Sequence, residues 1–396
     1  MQGARKTDRK RIRHSFSTMG ARKKVAVLSD FPVWLYTESV PPYPGHYAVW
    51  LAALHEALAN QDEFEIHWVV LNRDAAKPLR FTSRGQCMHV LPRMRRLAGL
   101  CTLYWHDRCA VARELSLIAP DMVHAWGMED CYGLCGKDFK GLKLFSVQGA
   151  LKAYMQRARF NAFLRAQALY EPPVWKAFRH ITAESPWAAD RVREVCPDTH
   201  PRIWEYAVEE RFFQAERKMA PAPTCLYAGA DSPVKNVKTI VEAFSRPELS
   251  HITLKLAGVP QDAYPGHPAN VMPLGRVGRD EMAGLMAEAW ALVHMSLADT
   301  GPTIVKEARV AGLPVIISDE CGSCQHVVEG KSGFILHPHD VDGLVQAVLA
   351  VTGEAQTAQA MGEYGREECR RALSGETMVA SLLAIYRELL SGGAPA

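Results

Sequence analysis

The sequence predicts an α/β protein built from two successive lobes, each organised around a parallel sheet. Three observations lead there. Short apolar runs alternate with stretches that are apolar at helical spacing, and this rhythm persists through both halves. A charged, proline-bearing segment, EERFFQAERKMAPAPT from Glu209, interrupts it near the middle. The length, 396 residues, suits two or three domains of roughly 100–200 residues each.

In the first half, Lys24–Asp30 (KVAVLSD) has the composition of a buried strand, and Gly45 leads into the helical pattern AVWLAALHEAL. Further strands are predicted at Glu65–Leu71, Met88–Leu91, Met122–Trp126, Lys143–Val147 and His180–Ala183. Beyond the interruption they resume at Cys225–Gly229, Thr253–Ala257, Ala291–His294, Pro314–Ser318 and Gly333–Leu336, with helices beginning near Val237, Arg279, Pro302 and Asp342. The amphipathic stretch Thr377–Leu390 reads as a last helix docked across a lobe. The expected division is a basic flexible tail (1–23), an N-terminal lobe (24–207), a linker (208–223), a C-terminal lobe (224–375), and a C-terminal helix and tail (376–396) that crosses back to the first lobe. Two such Rossmann-like lobes facing one another place ligands in the cleft at the carboxyl ends of their strands.

Composition narrows the function. With 48% hydrophobic and 22% charged residues, the chain is neither disordered nor fibrous. The net charge of +3 conceals an asymmetry: residues 1–24 hold nine Lys/Arg against Asp8 alone, so the remainder is slightly acidic. A body of that sign is a poor partner for nucleic acid, and none is expected. The tail lacks the apolar stretch of a signal peptide, so a cytoplasmic location is expected. It reads as an unstructured leader or as an attachment to anionic lipid. Two stretches that mix basic and apolar residues, Arg93–Leu100 and Arg157–Arg165, suit either a solvated helix or peripheral contact with a membrane surface. Cys321-Gly-Ser-Cys324 has CxxC spacing, but no second pair completes a tetrahedral site, and no metal site is expected. Asp340-Val-Asp342 sits before a helix and reads as a cap. The first strand is not followed by a G-x-G-x-x-G loop, which removes the signature of a nicotinamide enzyme.

Two stretches carry the chemistry. In Ser296-Leu-Ala-Asp299-Thr-Gly301-Pro302-Thr303-Ile-Val-Lys-Glu307, a strand end passes through a loop into a helix that Pro302 is suited to begin. Unpaired N–H groups of Thr303 to Val305 would then form an anion site, bracketed by the Asp299 and Glu307 carboxylates. From spacing alone, a capping role for Asp299 and a solvated position for Glu307 stand equally open. In Tyr227-Ala-Gly229-Ala-Asp231-Ser-Pro-Val-Lys235, a strand and a glycine turn bring Lys235 to the mouth of the same lobe, where it is either a phosphate-binding cation or an ordinary surface lysine.

These stretches, in this order and together with LAG at 256–258, LGRV at 274–277, GLPVI at 312–316 and VVEGKSGFIL at 327–336, resemble the retaining glycosyltransferases of the GT-B fold, family 4. The first half adds PGH at 44–46, PDMVHAWG at 120–127, SVQG at 146–149 and TAESPWAADRV at 182–192. The resemblance implies a metal-independent enzyme with no required cofactor. It would move a sugar from a nucleoside-diphosphate sugar to a glycan or lipid-linked acceptor, in cell-envelope polysaccharide or glycolipid synthesis. It also implies that the N-terminal lobe holds the acceptor and the C-terminal lobe the donor. Lys235, with amides around Gly301, Pro302 and Thr303, would hold the diphosphate, and Gly229 and Gly45 would let backbone approach the phosphates. Glu307 would bind the ribose, Asp299 the sugar hydroxyls, and the backbone at Val277 the base. His124 and Gln148 would face the transferred sugar and acceptor. The chain departs from the family pattern at Ala230, where members usually carry Arg, at Asp299 in place of the first glutamate, at Gln148 in place of histidine, at Pro44, at Tyr206–Glu209 and at Gln325. These departures keep a second reading in view, a relative on the same fold that binds nucleotide or glycan without turnover.

Overall fold

The structure, a computed structural model, describes residues 22–41, 48–128 and 130–392, the side chain of Arg96 excepted. Gly45 and nearly all of the basic tail therefore lie outside the described residues.

The first lobe is built on eight strands: β1 (Lys23–Leu28), β2 (Phe64–Asn72), β3 (Leu79–Ser83), β4 (Gln86–Pro92), β5 (Met122–Trp126), β6 (Leu142–Val147), β7 (His180–Ala183) and β8 (Arg202–Ile203). Their order across the sheet is β3-β4-β2-β1-β5-β6-β7-β8. The second lobe has β9 (Thr224–Ala228), β10 (Thr253–Ala257), β11 (Val271–Gly275), β12 (Ala291–His294), β13 (Val315–Ser318) and β14 (Gly333–Leu336) in the order β11-β10-β9-β12-β13-β14. Every pair in this second sheet is parallel. The two-lobed α/β architecture predicted from the sequence is the one observed.

One strand breaks the expected parallel rule. β3 pairs antiparallel with β4, turning through Arg84 and Gly85, both at positive φ (46° and 74°). A two-residue turn with both residues left-handed matches the natural twist of a hairpin. β3 then covers the edge of an otherwise parallel sheet.

Central strands read as unbroken apolar runs because both faces of each sheet are covered. Val25 and Val27 of β1 point into one core with Trp68 and Leu54, while Ala26 and Leu28 point into the other with Val123 and Phe145. The first of these cores is completed from the far end of the chain. Helix Gly375–Leu390 lays Met378, Leu382, Leu383, Tyr386 and Leu389 into it, and the Trp204 indole donates to Met378 O at 3.1 Å. At the junction, Val208 N–H donates to Leu373 O at 3.0 Å, so the outgoing and returning crossings run side by side. No helix among the described residues is long and apolar enough to cross a membrane.

Both sheets reverse direction of winding beside their first strand, β1 in one lobe and β9 in the other. A crevice forms outside the carboxyl ends of strands at such a switch point. The loops after β9 and β12 flank that point in the second lobe.

Leu382 is fully buried although it lies near the end of the chain. Leu382→Ala is expected to cost about 2–5 kcal/mol. In urea unfolding followed by tryptophan fluorescence, the loss should fall on the transition of the first lobe. An equal loss in both lobes would contradict this assignment of the helix.

Candidate active site

A cavity of about 720 Å³ opens between the lobes, lined by Trp50, Gln148, Tyr154, Glu184 and Tyr206 on one side and by the loops after β9, β11 and β12 on the other.

β12 ends at His294, and the loop that follows carries Asp299 onto the cavity floor. The backbone of Asp299 is held on both sides: its N–H donates to Glu320 O (3.0 Å), and its carbonyl accepts from Gly322 N–H (2.8 Å). Its carboxylate meets the Lys235 ammonium, His294 Nε2 at 3.2 Å and Ser296 Oγ at 3.4 Å. Burial by itself would raise the pKa of this carboxyl. Lys235 and the His294 hydrogen bond outweigh burial and hold it well below the usual carboxylate range. Asp299 is therefore an ionised side chain in the cavity, not the cap of the following helix; that position belongs to Pro302.

Lys235 ends a single helical turn, Pro233–Lys235, and Asn236 follows at φ 52°. Asparagine tolerates that left-handed conformation better than most residues. The Asn236 carboxamide donates to Met295 O (3.0 Å) and Pro338 O (2.7 Å), and so ties the lysine turn to the end of β12.

Helix Thr303–Val310 starts one residue later than the sequence suggests. Val305 N–H donates to Pro302 O at 3.0 Å, which removes it from the expected anion site. Thr303 and Ile304, in the first turn and on the cavity wall, have no intrahelical acceptor for their N–H groups. Glu307 lies one turn further on and is 1% exposed. Arg279 binds its carboxylate, also binds Glu209, and stacks on Phe212 at 4.8 Å. Burial raises the pKa of Glu307, with Arg279 opposing the shift. Glu307 is thus paired and buried rather than solvated.

Across the cavity, the Gln148 carbonyl accepts from Thr300 Oγ1 at 2.6 Å. Lys306, 1% exposed, donates to Glu184 Oε1 at 2.6 Å and lies 5.7 Å from the centre of the Tyr206 ring. Gly301 permits this approach, because a Cβ there would lie 2.7 Å from Glu184 Cδ. Ser185 Oγ donates to Thr300 O, and Glu205 pairs with His326 at 2.6 Å. The lobes therefore meet through a set of polar contacts at the base of the cleft.

Lys235, Asp299, Glu307, Gly301, Pro302, Thr303, Gly229, Val277 and Gln148 all line this one cavity. His124 does not. It is fully buried inside the first lobe, with Nδ1 against Tyr386 Oη (2.7 Å), Nε2 against Ser146 Oγ (2.7 Å) and its ring stacked on Trp126. Burial pushes its pKa down to about 3, so it is a neutral core histidine that anchors the last helix. This corrects the expectation that it faces a transferred sugar. In the CxxC pair, Cys321 is buried and Cys324 Sγ donates to Ser318 O at 3.0 Å, while burial raises both pKa values.

Sequence reasoning missed Arg279, Glu184, Lys306, Trp50 and Tyr206. Arg279 did carry a signal. A cation at the first position of a helix opposes the helix dipole, and so points to an anionic partner elsewhere. Glu184 and Lys306 become visible only once the lobes face each other.

The comparisons with known proteins fit this geometry. Residues 208–368 match the family model described as "Glycosyl transferases group 1". A 135-residue segment, 34% of this chain and 31% of the relative, is 30% identical to the GDP-mannose-dependent alpha-(1-6)-phosphatidylinositol monomannoside mannosyltransferase of Mycolicibacterium smegmatis. A 184-residue segment, 44% of each chain, is 25% identical to the glycogen synthase of Mycobacterium tuberculosis. The matches thus span less than half the length of these curated relatives. Among solved structures, sucrose-phosphate synthase from Thermosynechococcus elongatus superposes with a TM-score of 0.76 at 18% identity, over 94% of this chain and all of that one. Anabaena Alr3699/HepE in complex with UDP and glucose gives 0.66 at 14% identity, over 93% of this chain and all of that one. The fold is GT-B, and residues 208–368, within its second lobe, are similar to the group 1 glycosyltransferases.

Burial raises the pKa of Glu184 to about 7, against the pull of Lys306 and with Glu205 and Asp299 adding to the rise. The folded chain then binds this proton more tightly than the unfolded one. The group therefore takes stability away as pH rises from 4.5 towards 7. Glu184→Gln should flatten the profile of unfolding free energy against pH across that window. An unchanged slope would show that Glu184 is ionised throughout.

Proposed function

We propose that the protein is a retaining glycosyltransferase that uses a nucleoside-diphosphate sugar, without a metal ion in the reaction, and builds a glycan or lipid-linked product of the cell envelope. One observation carries the reading: Lys235, the first-turn amides of helix Thr303–Val310, Asp299 and Glu307 converge on a single interlobe cavity. This set suits a donor whose charge lies between two hydroxyl-bearing ends. As the bond from the anomeric carbon to the diphosphate breaks, negative charge grows on the leaving phosphate and positive charge on the sugar. Lys235 and the amides of Thr303 and Ile304 stabilise the first. Glu307 takes the ribose hydroxyls in exchange for Arg279, and Asp299 takes those of the sugar. The leaving phosphate oxygen accepts the proton of the acceptor hydroxyl, which attacks on the same face, so that configuration is retained. Gln148 lies on the acceptor side. A relative named as GDP-mannose-dependent and a structural neighbour solved with UDP motivate testing GDP and UDP first.

Ala230, where the family usually has Arg, favours the alternative of a binding protein without turnover. Release of free nucleoside diphosphate from a nucleotide-sugar with acceptor present, in buffer without Mg²⁺ or Mn²⁺, separates the two readings. Nucleotide binding without release would leave the binding protein. Loss of a single preorganised charge stabiliser typically costs about 10²–10³ in kcat, and Lys235→Ala should do so here. Glu307→Ala removes hydrogen bonds to a charged group worth about 1.5–3 kcal/mol, so donor affinity should fall roughly 10–100-fold. Unchanged affinity would place the ribose elsewhere.

Peripheral membrane contact belongs to the same proposal. Leu97, Leu103 and Trp105 are 67%, 48% and 66% exposed in the segment that follows the carboxyl end of β4, beside the exposed Arg95. Apolar residues flanked by a cation suit an anionic lipid interface. Leu97→Ser with Trp105→Ser should weaken sedimentation with phosphatidylglycerol vesicles. Equal sedimentation would remove this surface from the proposal.

A further inference from the structure

At the opposite end of the first sheet from the cleft, β2 and β4 bring three side chains of different chemistry together. Glu65 and His67 are two apart on β2 and share a face, and Cys87 stands directly beside His67 in the parallel register. A carboxylate oxygen, an imidazole nitrogen and the thiol sulfur all lie within 4.8 Å of one another. His67 is buried, while Glu65 and Cys87 are half-buried, which leaves an entry path from solvent.

The hydrogen bonds behind His67 fix the direction in which its ring points. Glu114 is held by Arg80 through two bonds of 2.7 Å, and its carboxylate can only accept. His89 Nδ1, 2.6 Å from Glu114 Oε1, therefore carries a proton and donates. His89 Nε2 lies 3.0 Å from His67 Nδ1, which turns His67 Nε2 towards Glu65 Oε1 at 2.9 Å. A proton shared by Glu65 and His67 would use those two alone, whereas the Cys87 sulfur within reach adds a third, soft donor that suits a metal.

We propose that Glu65, His67 and Cys87 bind one divalent transition-metal ion, zinc by the mixture of ligands, with water in the fourth position. Nitrogen, thiolate and carboxylate are the donors that zinc takes. A ring N–H directed through a second histidine to a carboxylate is the outer arrangement that orients metal-bound imidazoles. Binding replaces the Cys87 thiol proton, which is released to solvent. The ion fastens β2 to β4 and, through His89 and Glu114, to helix Trp105–Ile118. The ligands come singly and in a pair from strands 20 residues apart in sequence, without CxxC or HxxxH spacing, so the sequence did not betray them.

The test uses the full chain after chelation and buffer exchange. Titration with Co²⁺ should give a near-ultraviolet sulfur-to-cobalt charge-transfer band that saturates at one equivalent and is displaced by Zn²⁺. Cys87→Ser should abolish the band while leaving far-ultraviolet circular dichroism unchanged. His89→Ala, which loses only the outer support, should weaken zinc binding roughly 10–100-fold. Absence of the band in the folded wild-type protein would overturn the proposal. So would its survival in Cys87→Ser, which would assign the sulfur to another cysteine.

Discussion

Charge removed from water has to be paired, and the base of the cleft is organised around that requirement. Asp299, Glu307, Glu184 and Lys306 are each no more than 7% exposed. An isolated ion there would cost several kcal/mol, so each has a counter-charge at hydrogen-bond distance. Lys235 covers Asp299, Arg279 bridges Glu307 and Glu209, and Lys306 reaches across to Glu184. The last pair joins the lobes. A Cβ at Gly301 would push the Glu184 side chain aside, and Tyr206 lies under the ammonium. The same arrangement bears on the proposed chemistry. A diphosphate arriving beside Lys235 competes with a carboxylate already seated there, so donor binding becomes an exchange of partners rather than the filling of a bare socket.

Legibility from sequence followed the range of the interactions. Strands buried on both faces, such as β1 and β9, announce themselves as continuous apolar runs, and the alternation with helices predicts the parallel sheets. β3 escaped because LRFTS is half-exposed and weakly apolar, and its turn relies on an Arg-Gly pair rather than the commoner Asn-Gly. In the site, the motifs around Lys235, Asp299 and Glu307 were readable because each is a short loop-to-helix transition whose geometry is local. His124 was misplaced because alternation along a strand does not say which face a given side chain takes, and the face that won belongs to a core completed by Tyr386, 262 residues away. Glu184 and Lys306 depend on the meeting of separate elements, which no local pattern encodes, whereas Arg279 left a local trace as a cation at a helix start but not the identity of its partners.

The polar seam between the lobes contrasts with the cores inside them. Each sheet is sandwiched between apolar clusters, whereas the lobe contact is made by hydroxyls, carbonyls and ion pairs such as Thr300–Gln148 and His326–Glu205. Interfaces of that composition exchange with water at lower cost than an apolar core, which suits two bodies that must admit and release a ligand between them.

The returning helix also bears on how the chain is made. A ribosome delivers the first lobe's eight strands long before Gly375–Leu390 emerges, yet the core beneath β1 and β2 lacks Met378, Leu382 and Tyr386 until then. The second lobe, translated later, draws its core from residues already out of the tunnel by that time. Completion therefore runs against the order of synthesis: the second lobe can finish first, and the first-made lobe waits with an open apolar face for helix Gly375–Leu390.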